Sequence, residues 1–300
     1  MNGIIVIDKP ADWTSHDVVA KLRGALKIKR IGHGGTLDPL ATGVLPIFIG
    51  SATRAVEFCE NADKEYIAGL RLGIVTDTQD ITGNVLSSCT PAVSLDDISG
   101  IISGFLGTQM QIPPMYSAIK INGKKLYELA RRGIEVERPP REITISAIEL
   151  LEGSGNDYLL KIACSKGTYV RTICHDIGAA LGCGGALSSL RRTRAGKFTI
   201  DMAQPLDEVL SAAASAELSK LILPIDTIFS DYPALHLTAA ETGKCMNGAP
   251  CRLENTEDGA YRLYRPDNEF FIFGEVKGGL LKPIKKFLMT AQEVSGRRGF

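Results

Sequence analysis

Gly32-His-Gly-Gly-Thr-Leu-Asp-Pro-Leu-Ala-Thr-Gly-Val-Leu-Pro46 is the stretch around which this chain of 300 residues is organised. It is too rich in glycine and proline to be a helix. It is also too apolar, with Leu37, Leu40, Val44 and Leu45, to be an idle surface loop. Pro39 disfavours the helical region for the residue before it, so Asp38 is expected in extended backbone with its carboxylate presented outward. Gly34, Gly35 and Gly43 allow sharp turns and the close approach of a bulky partner. An Asp-Pro turn between two strands is the plainer reading. Against it stands one ionisable carboxylate held in an apolar loop beside His33.

Outward from this loop, composition sets bounds. A hydrophobic content of 44% can bury a substantial core and suits one large domain with a small one attached. Lys+Arg and Asp+Glu are equal at 34 each, so any polyanion must be met by clustered rather than numerous cations. The seven cysteines show no paired Cys-x-x-Cys spacing; they read as reduced thiols of a cytosolic protein, with no metal site. The N-terminal Met-Asn-Gly-Ile-Ile-Val-Ile-Asp-Lys is charged too soon for a signal peptide, and no run approaches a membrane span. A cytoplasmic protein without membrane contact is expected.

On the N-terminal side of the loop, Ile4 to Ile7 reads as a buried strand. Thr14 or Ser15 then caps a helix with an apolar stripe of Val19, Leu22 and Leu26. That helix leaves Lys21, Arg23, Lys27, Lys29 and Arg30 exposed, either as solvated surface or as a grip on phosphates. On the other side, Leu45 to Ile49 reads as a strand and Ser51 as the cap of a short helix through Phe58. Lys64 to Gly73 alternates as a strand that puts Tyr66, Ala68, Leu70 and Leu72 on one face. On pattern alone Tyr66 is a half-buried sheet tyrosine or an aromatic platform for a base. Thr76 to Gly83 is a polar turn, and Ser94 to Phe105 a short helix.

Asn122-Gly123 signals a turn, followed by a helix with Leu126, Leu129 and Ala130 on one face and Lys124, Lys125, Arg131 and Arg132 off it. Cations interleaved with Tyr116 and Tyr127 are what a segment that clamps RNA needs. Mutual repulsion among them predicts a segment poorly ordered, or folded away, without RNA. Two hairpin strands (142–151 and 158–164) lead to a helix capped by Thr168, with Val170, Ile173, Cys174, Ile177 and Leu181 at helical spacing and His175 on its surface. Arg171 in its first turn opposes the helix dipole, which suits a residue serving an anion. Two short helices follow between Pro205 and Leu223. After Ser230-Asp231-Tyr232-Pro233 the pattern changes to a capping box at Thr238 and Glu241 and then strands, a small β-barrel.

The central stretch closely resembles the signature of the TruB-type tRNA pseudouridine synthases. The resemblance continues, in the family's order, in KEYIAGLRLG (64–73), CSKGTYVRTICHDIG (164–178) and LRRTRAG (190–196). It implies an α+β fold: the pseudouridine synthase catalytic fold with a mixed, mostly antiparallel central sheet flanked by helices over 1–230, and a small PUA-like β-barrel over 231–300. It implies an isomerase that converts a uridine in the T loop of tRNA (position 55) to pseudouridine, without a cofactor. Asp38 would be catalytic and Tyr66 would stack on the flipped base. Arg171 would pair with the aspartate, and Leu190 would line the base pocket. Tyr169, Asp80 and, as an RNA-positioning group, His33 would complete the substrate site. The insertion around 114–141 would clamp the T loop through Lys124, Lys125, Arg131 and Arg132, with Lys21 and Arg194 adding to the RNA face. A monomer acting on tRNA with no obligatory protein partner is expected. Two rivals are an RNA-folding protein that has lost catalysis and a relative directed to ribosomal RNA by guide RNA and protein partners.

Overall fold

The computed structural model describes residues 1–121 and 123–288. Asn122 of the expected turn, and 289–300 of the expected C-terminal domain, lie outside them. In chain order the first strands and helices are β1 (Gly3–Lys9), α1 (Ser15–Leu26), β2 (Ile31–His33), β3 (Thr42–Ile49), α2 (Val56–Glu60) and β4 (Lys64–Leu72). A small hairpin, β5 (Ile74–Thr76) and β6 (Val85–Ser88), precedes α3 (Leu95–Ser103) and β7 (Gly107–Gln111). The 114–141 segment carries β8 (Lys120–Ile121), β9 (Lys124–Lys125) and α4 (Leu126–Ala130). Then come β10 (Arg141–Ser154), β11 (Asp157–Cys164), α5 (Val170–Ala180), β12 (Gly185–Ala195), β13 (Phe198–Thr199), β14 (Gln204–Pro205) and α6 (Leu206–Ala214).

Ten of these strands form one sheet in the order β14-β1-β3-β12-β4-β11-β10-β7, with β2 against β3 and β13 against β12. Pairing is antiparallel except where β1 meets β14 and β12 meets β3. β12 joins the two halves. It runs the length of β4 with Leu190 opposite Ala68 and Arg192 opposite Tyr66, and touches β3 only at Arg191↔Thr42 and Arg192↔Gly43. The loop between β2 and β3, which carries Asp38, emerges at this junction.

The β1 run Ile4-Ile5-Val6-Ile7 is buried on both faces, which explains an unbroken apolar strand rather than an alternating one. On one face α1, α3, α5 and α6 contribute to the main core, where Val18, Val19 and Leu22 of α1 are buried. Thr14 caps α1 and Asp17 reaches back to the Thr14 backbone, a reciprocal capping box. On the other face Ile4, Val6, Val44 and Phe48 pack with Phe198, Phe229, Phe273 and Phe287.

Those last two phenylalanines belong to a second sheet and its flank. The sheet has five strands, β15 (Ala234–His236), β16 (Cys251–Arg252), β17 (Gly259–Tyr264), β18 (Phe270–Lys277) and β19 (Leu280–Lys286), in the order β15-β17-β18-β19-β16. Helix α7 (Ala239–Met246) lies beside it, capped by Thr238 and Glu241 as the sequence indicates. This sheet is consistent with a PUA-like half-barrel. Phe58, Phe229 and Phe273 link it to the first sheet, with ring centroids 4.4–5.8 Å apart. Arg54 Nη1 also donates to the Lys286 carbonyl at 2.9 Å.

Three local expectations change. Ser51 caps nothing: its amide binds Asn2 Oδ1, and Gly50–Ala55 is a 3₁₀ turn leading into α2. Thr168 does not cap α5. Its hydroxyl donates to the Ser165 carbonyl, and the preceding turn is held by Gln111, whose amide binds both backbone groups of Tyr169. The cationic 114–141 segment carries ordered elements rather than an unfolded chain. Leu126 and Leu129 are buried beneath it, and the burial of an apolar face outweighs screened repulsion among exposed cations.

Candidate active site

Asp38 sits at the crest of the loop between β2 and β3, and its neighbours Leu37, Pro39 and Ala41 are tied down. Leu37 exchanges hydrogen bonds with the buried Ser15 hydroxyl through both backbone groups. The Pro39 carbonyl accepts from the Asp12 amide at 2.9 Å and from Lys9 Nζ at 3.2 Å. Ala41 N closes a turn onto the Asp38 carbonyl. Upstream, Gly34 packs so tightly on Cys59 and Phe48 that a Cβ would lie 2.7 Å from the Cys59 sulfur. Downstream, Gly43 has φ +97°, and a Cβ there would lie 2.2 Å from the Arg192 carbonyl. Glycine is required at both positions.

The side chain of Asp38 itself is 42% exposed, and its Oδ2 lies 3.0 Å from Arg171 Nε. Arg171, on the first turn of α5, has a side chain only 6% exposed. It reaches Asp80 Oδ2 at 3.7 Å and donates to the carbonyls of Thr78 (3.2 Å) and Tyr116 (3.0 Å). One guanidinium thus ties the loop, the 76–83 turn and the root of the 114–141 segment together. Asp80 is buried, its Oδ1 accepting from Thr78 Oγ1, Thr82 N and Thr82 Oγ1. It therefore faces Arg171 as a buttress of the 76–83 turn.

Tyr66 and Leu190 are each 8% exposed, on neighbouring strands of the face that carries the loop. Burial pushes the Tyr66 phenol up, while the Arg192 guanidinium beside it pulls the other way. His33 is half-buried at the end of β2, with its ring 6.0 Å from that of His16. Burial, then His16 and Arg192, lower it to about 4. It is a neutral imidazole at neutral pH and not a phosphate-gripping cation. Tyr169 lies at the head of α5, its ring 5.6 Å from the Arg141 guanidinium. His175 is half-buried with an unpaired buried Nδ1, not a plain surface group.

Of the candidate RNA-binding cations, Lys21, Lys124, Arg131 and Arg132 are exposed, while Lys125 and Arg194 are half-buried. Lys125 and Arg131 flank the Tyr127 ring at 5.4 Å. The other two arginines of 190–196 differ in setting, the Arg191 side chain being 43% exposed. Arg191 forms a two-pronged pair with Asp8, and Arg192 is buried.

Sequence reasoning passed over three buried cations, two of which hold the loop. Lys9 donates to the carbonyls of Pro10, Trp13 and Pro39. Burial lowers it to about 8, against the opposite pull of Asp38. Lys64 donates to Cys59, Glu60 and Ala62, closing the C-terminal end of α2. Arg192 donates to Val44, Gly35 and Thr36. Strand parity offered a signal for the last, since Arg192 shares the face of Leu190 two residues before it.

Comparison with known proteins places this geometry. Residues 23–170 match the TruB family pseudouridylate synthase N-terminal domain, and residues 171–230 match the tRNA pseudouridylate synthase B C-terminal domain. The seam falls at the head of α5, so Asp38 and Tyr66 come from one part and Arg171, Leu190 and Arg192 from the other. A protein of Azoarcus sp. (strain BH72) named tRNA pseudouridine synthase B is 41% identical over 290 residues, covering 97% of this chain and 96% of its own. Another of that name, from Alkaliphilus oremlandii (strain OhILAs), is 48% identical over 240 residues, covering 80% and 78%. Among solved structures, a chain of a Cbf5-Nop10-Gar1 complex aligns with TM-score 0.73 and 28% identity, over 95% of this chain and 85% of that one. A chain from an H/ACA RNP bound to a substrate RNA containing 2'-deoxyuridine aligns with TM-score 0.72 and 25% identity, over 96% and 85%. With both family domains in order and near-full-length relatives above 40% identity, the chain belongs to the TruB family of pseudouridylate synthases.

Proposed function

We propose that this protein isomerises the uridine at position 55, in the T loop of tRNA, with Asp38 as the catalytic carboxylate and no protein partner. Its family makes it an isomerase that turns uridine into pseudouridine in tRNA. The observation that carries the finer reading is the half-exposed Asp38 carboxylate, held 3.0 Å from a buried arginine beside Tyr66 and Leu190. The reaction is redox-neutral and has one substrate. The bond from C1′ of the ribose to N1 of uracil breaks, the base turns while held, and it rejoins through C5. A fixed carboxylate beside the sugar is the group this needs. Among the described residues no helix is long and apolar enough to cross a membrane.

The target base must leave its stack at a cost of a few kcal/mol. Stacking on Tyr66 returns about 1–3 kcal/mol, and phosphate contacts from the exposed cations offset the rest. Tyr66→Phe should therefore bind tRNA nearly normally, and Tyr66→Leu should bind more weakly by about 1–3 kcal/mol. Turnover should fall steeply in both. Full activity in Tyr66→Phe would leave stacking as the residue's whole contribution.

The 114–141 segment supplies the clamp in this reading, its root held by Arg171 and its cations turned outward. Removing the charges of Lys124, Lys125, Arg131 and Arg132 together should weaken tRNA binding. It should also reduce the salt slope by about 0.7–0.9 for each phosphate that is no longer neutralised. Saturated turnover should change far less. An unchanged slope would move the phosphate grip to α1 around Lys21.

The reading as a whole is tested by incubating purified protein with unmodified tRNA transcript carrying tritium at uracil C5. Stoichiometric tritium release, mapped to the T loop, is expected. Release only on addition of guide RNA, or at another uridine, would overturn it.

A further inference from the structure

We propose that the buried guanidinium of Arg192 stabilises the negative charge that gathers on uracil once it is detached from its ribose, acting through Tyr66. The inference rests on the isomerase reading. Its starting point is an imbalance of charge. Arg192 is 1% exposed, and among the described residues no ion pair joins it to a carboxylate; its fork is met by the carbonyls of Val44, Gly35 and Thr36. Burying an unpaired charge is costly, and a purely structural strut at this point could be apolar at lower cost.

Lys9 and Lys64 are likewise buried and likewise met by carbonyls alone. Arg171 is different, since it lies against both Asp38 and Asp80. The floor of the site therefore holds more positive than negative charge, and the unmatched part is not on Arg171. Arg192 is where that surplus meets the base pocket. It stands opposite Tyr66 across the β12–β4 ladder, two residues from Leu190 on the same face. By its bonds to Gly35 and Thr36 it also grips the loop on the side that leads into Asp38.

The chemistry supplies a use for that surplus. When the C1′–N1 bond breaks, its electron pair stays with N1 and spreads over the two uracil carbonyl oxygens. C1′ is made good by Asp38, whether by bonding to it or by losing the neighbouring ribose proton to it. On reclosure C5 donates a pair to C1′, and Asp38 either departs from C1′ or returns its proton to C2′. C5 then loses its proton and N1 gains one, so atoms and charge balance. Between these events the ring carries a full negative charge against Tyr66, beneath which a fixed, nearly solvent-free cation acts far more strongly than one in water. Arg192 touches Tyr66 and the loop rather than the base, so it is a positioning residue that works through the phenol.

The test compares two substrates: tRNA transcripts containing uridine or 5-fluorouridine. Fluorine withdraws electrons, so fluorouracil leaves as an anion with less help. Single-turnover consumption of each nucleoside is followed by nuclease digestion and mass spectrometry, beside filter binding and thermal unfolding. Arg192→Met should lower the rate on uridine by about 100-fold or more, the scale of losing one donor to a developing oxyanion. The rate on 5-fluorouridine should fall by about tenfold or less, with tRNA affinity near normal. Arg192→Lys, which keeps the charge and loses the fork, should recover most of the uridine rate. Equal losses on the two substrates would reduce Arg192 to a structural strut and overturn the proposal, as would a loss confined to binding. If Arg192→Met does not fold, Tyr66→Phe carries the same comparison, because it removes the relaying phenol and keeps the ring. An unshifted ratio there would also overturn it. Wild-type protein inert on both transcripts would instead sink the isomerase reading itself.

Discussion

Asp38→Asn should bind tRNA as well as the parent protein does and isomerise it at least about ten-thousand-fold more slowly. The amide keeps the shape of the carboxylate, and its oxygen can still accept from Arg171 Nε, now 3.0 Å away. The loop should not move either, because Lys9, Ser15, Asp12 and Arg192 fix it through its backbone and not through this side chain. Stability should change little, since an exposed carboxylate contributes little through its ion pair. What disappears is the one negative charge that can meet the anomeric carbon or its neighbouring proton. Affinity for a polyanion should if anything rise slightly when a negative charge is removed from the cleft. Tritium release under single-turnover conditions, beside filter binding, separates the two quantities. A variant that still turned over at a tenth of the parent rate would take the catalytic role away from Asp38.

Much of the fold and of the candidate site was legible because their parts are local patterns. The Leu-Asp-Pro turn, the period-2 run that sets Tyr66 beside Ala68 and Leu70, and the capping box at Thr238 each depend on residues close in sequence. Arg192 was not legible in that way. Its bonds reach residues 148 to 157 positions earlier, through a two-residue parallel pairing between β12 and β3. Parallel pairing between distant segments leaves no mark in local periodicity. Ser51 and Thr168 failed as caps for a related reason. At Ser51 the backbone amide is taken by Asn2 Oδ1 where a 3₁₀ turn replaces the expected helix start, and at Thr168 the hydroxyl turns back to the Ser165 carbonyl instead of forward to the helix. For the 114–141 segment the count of like charges was given too much weight. Exposed cations repel weakly through water, whereas Leu126 and Leu129 are buried.

Arg171→Met should cost about 3–5 kcal/mol of stability, besides removing activity. The two carboxylates that Arg171 serves will not contribute equally to that loss. Asp38 is half in solvent, and water can replace its partner. Asp80 is 6% exposed, and the cation is what faces its Oδ2. Without the guanidinium that oxygen is left as a buried, uncompensated charge, the situation that makes broken buried pairs expensive. The carbonyls of Thr78 and Tyr116 lose a donor as well, so the 76–83 turn and the root of the 114–141 segment should loosen together. Asp80→Asn alone should be milder, because a neutral amide can keep the bonds from Thr78 and Thr82. Combining the two substitutions should recover about 1–3 kcal/mol relative to their sum, as expected of directly coupled neighbours. Urea unfolding of the two single variants and the double variant measures this coupling. Strict additivity would mean that Asp80 does not depend on Arg171. Stability lost without that coupling would trace to the two carbonyls, and the arginine would then be a brace for the clamp more than a counter-charge for the turn.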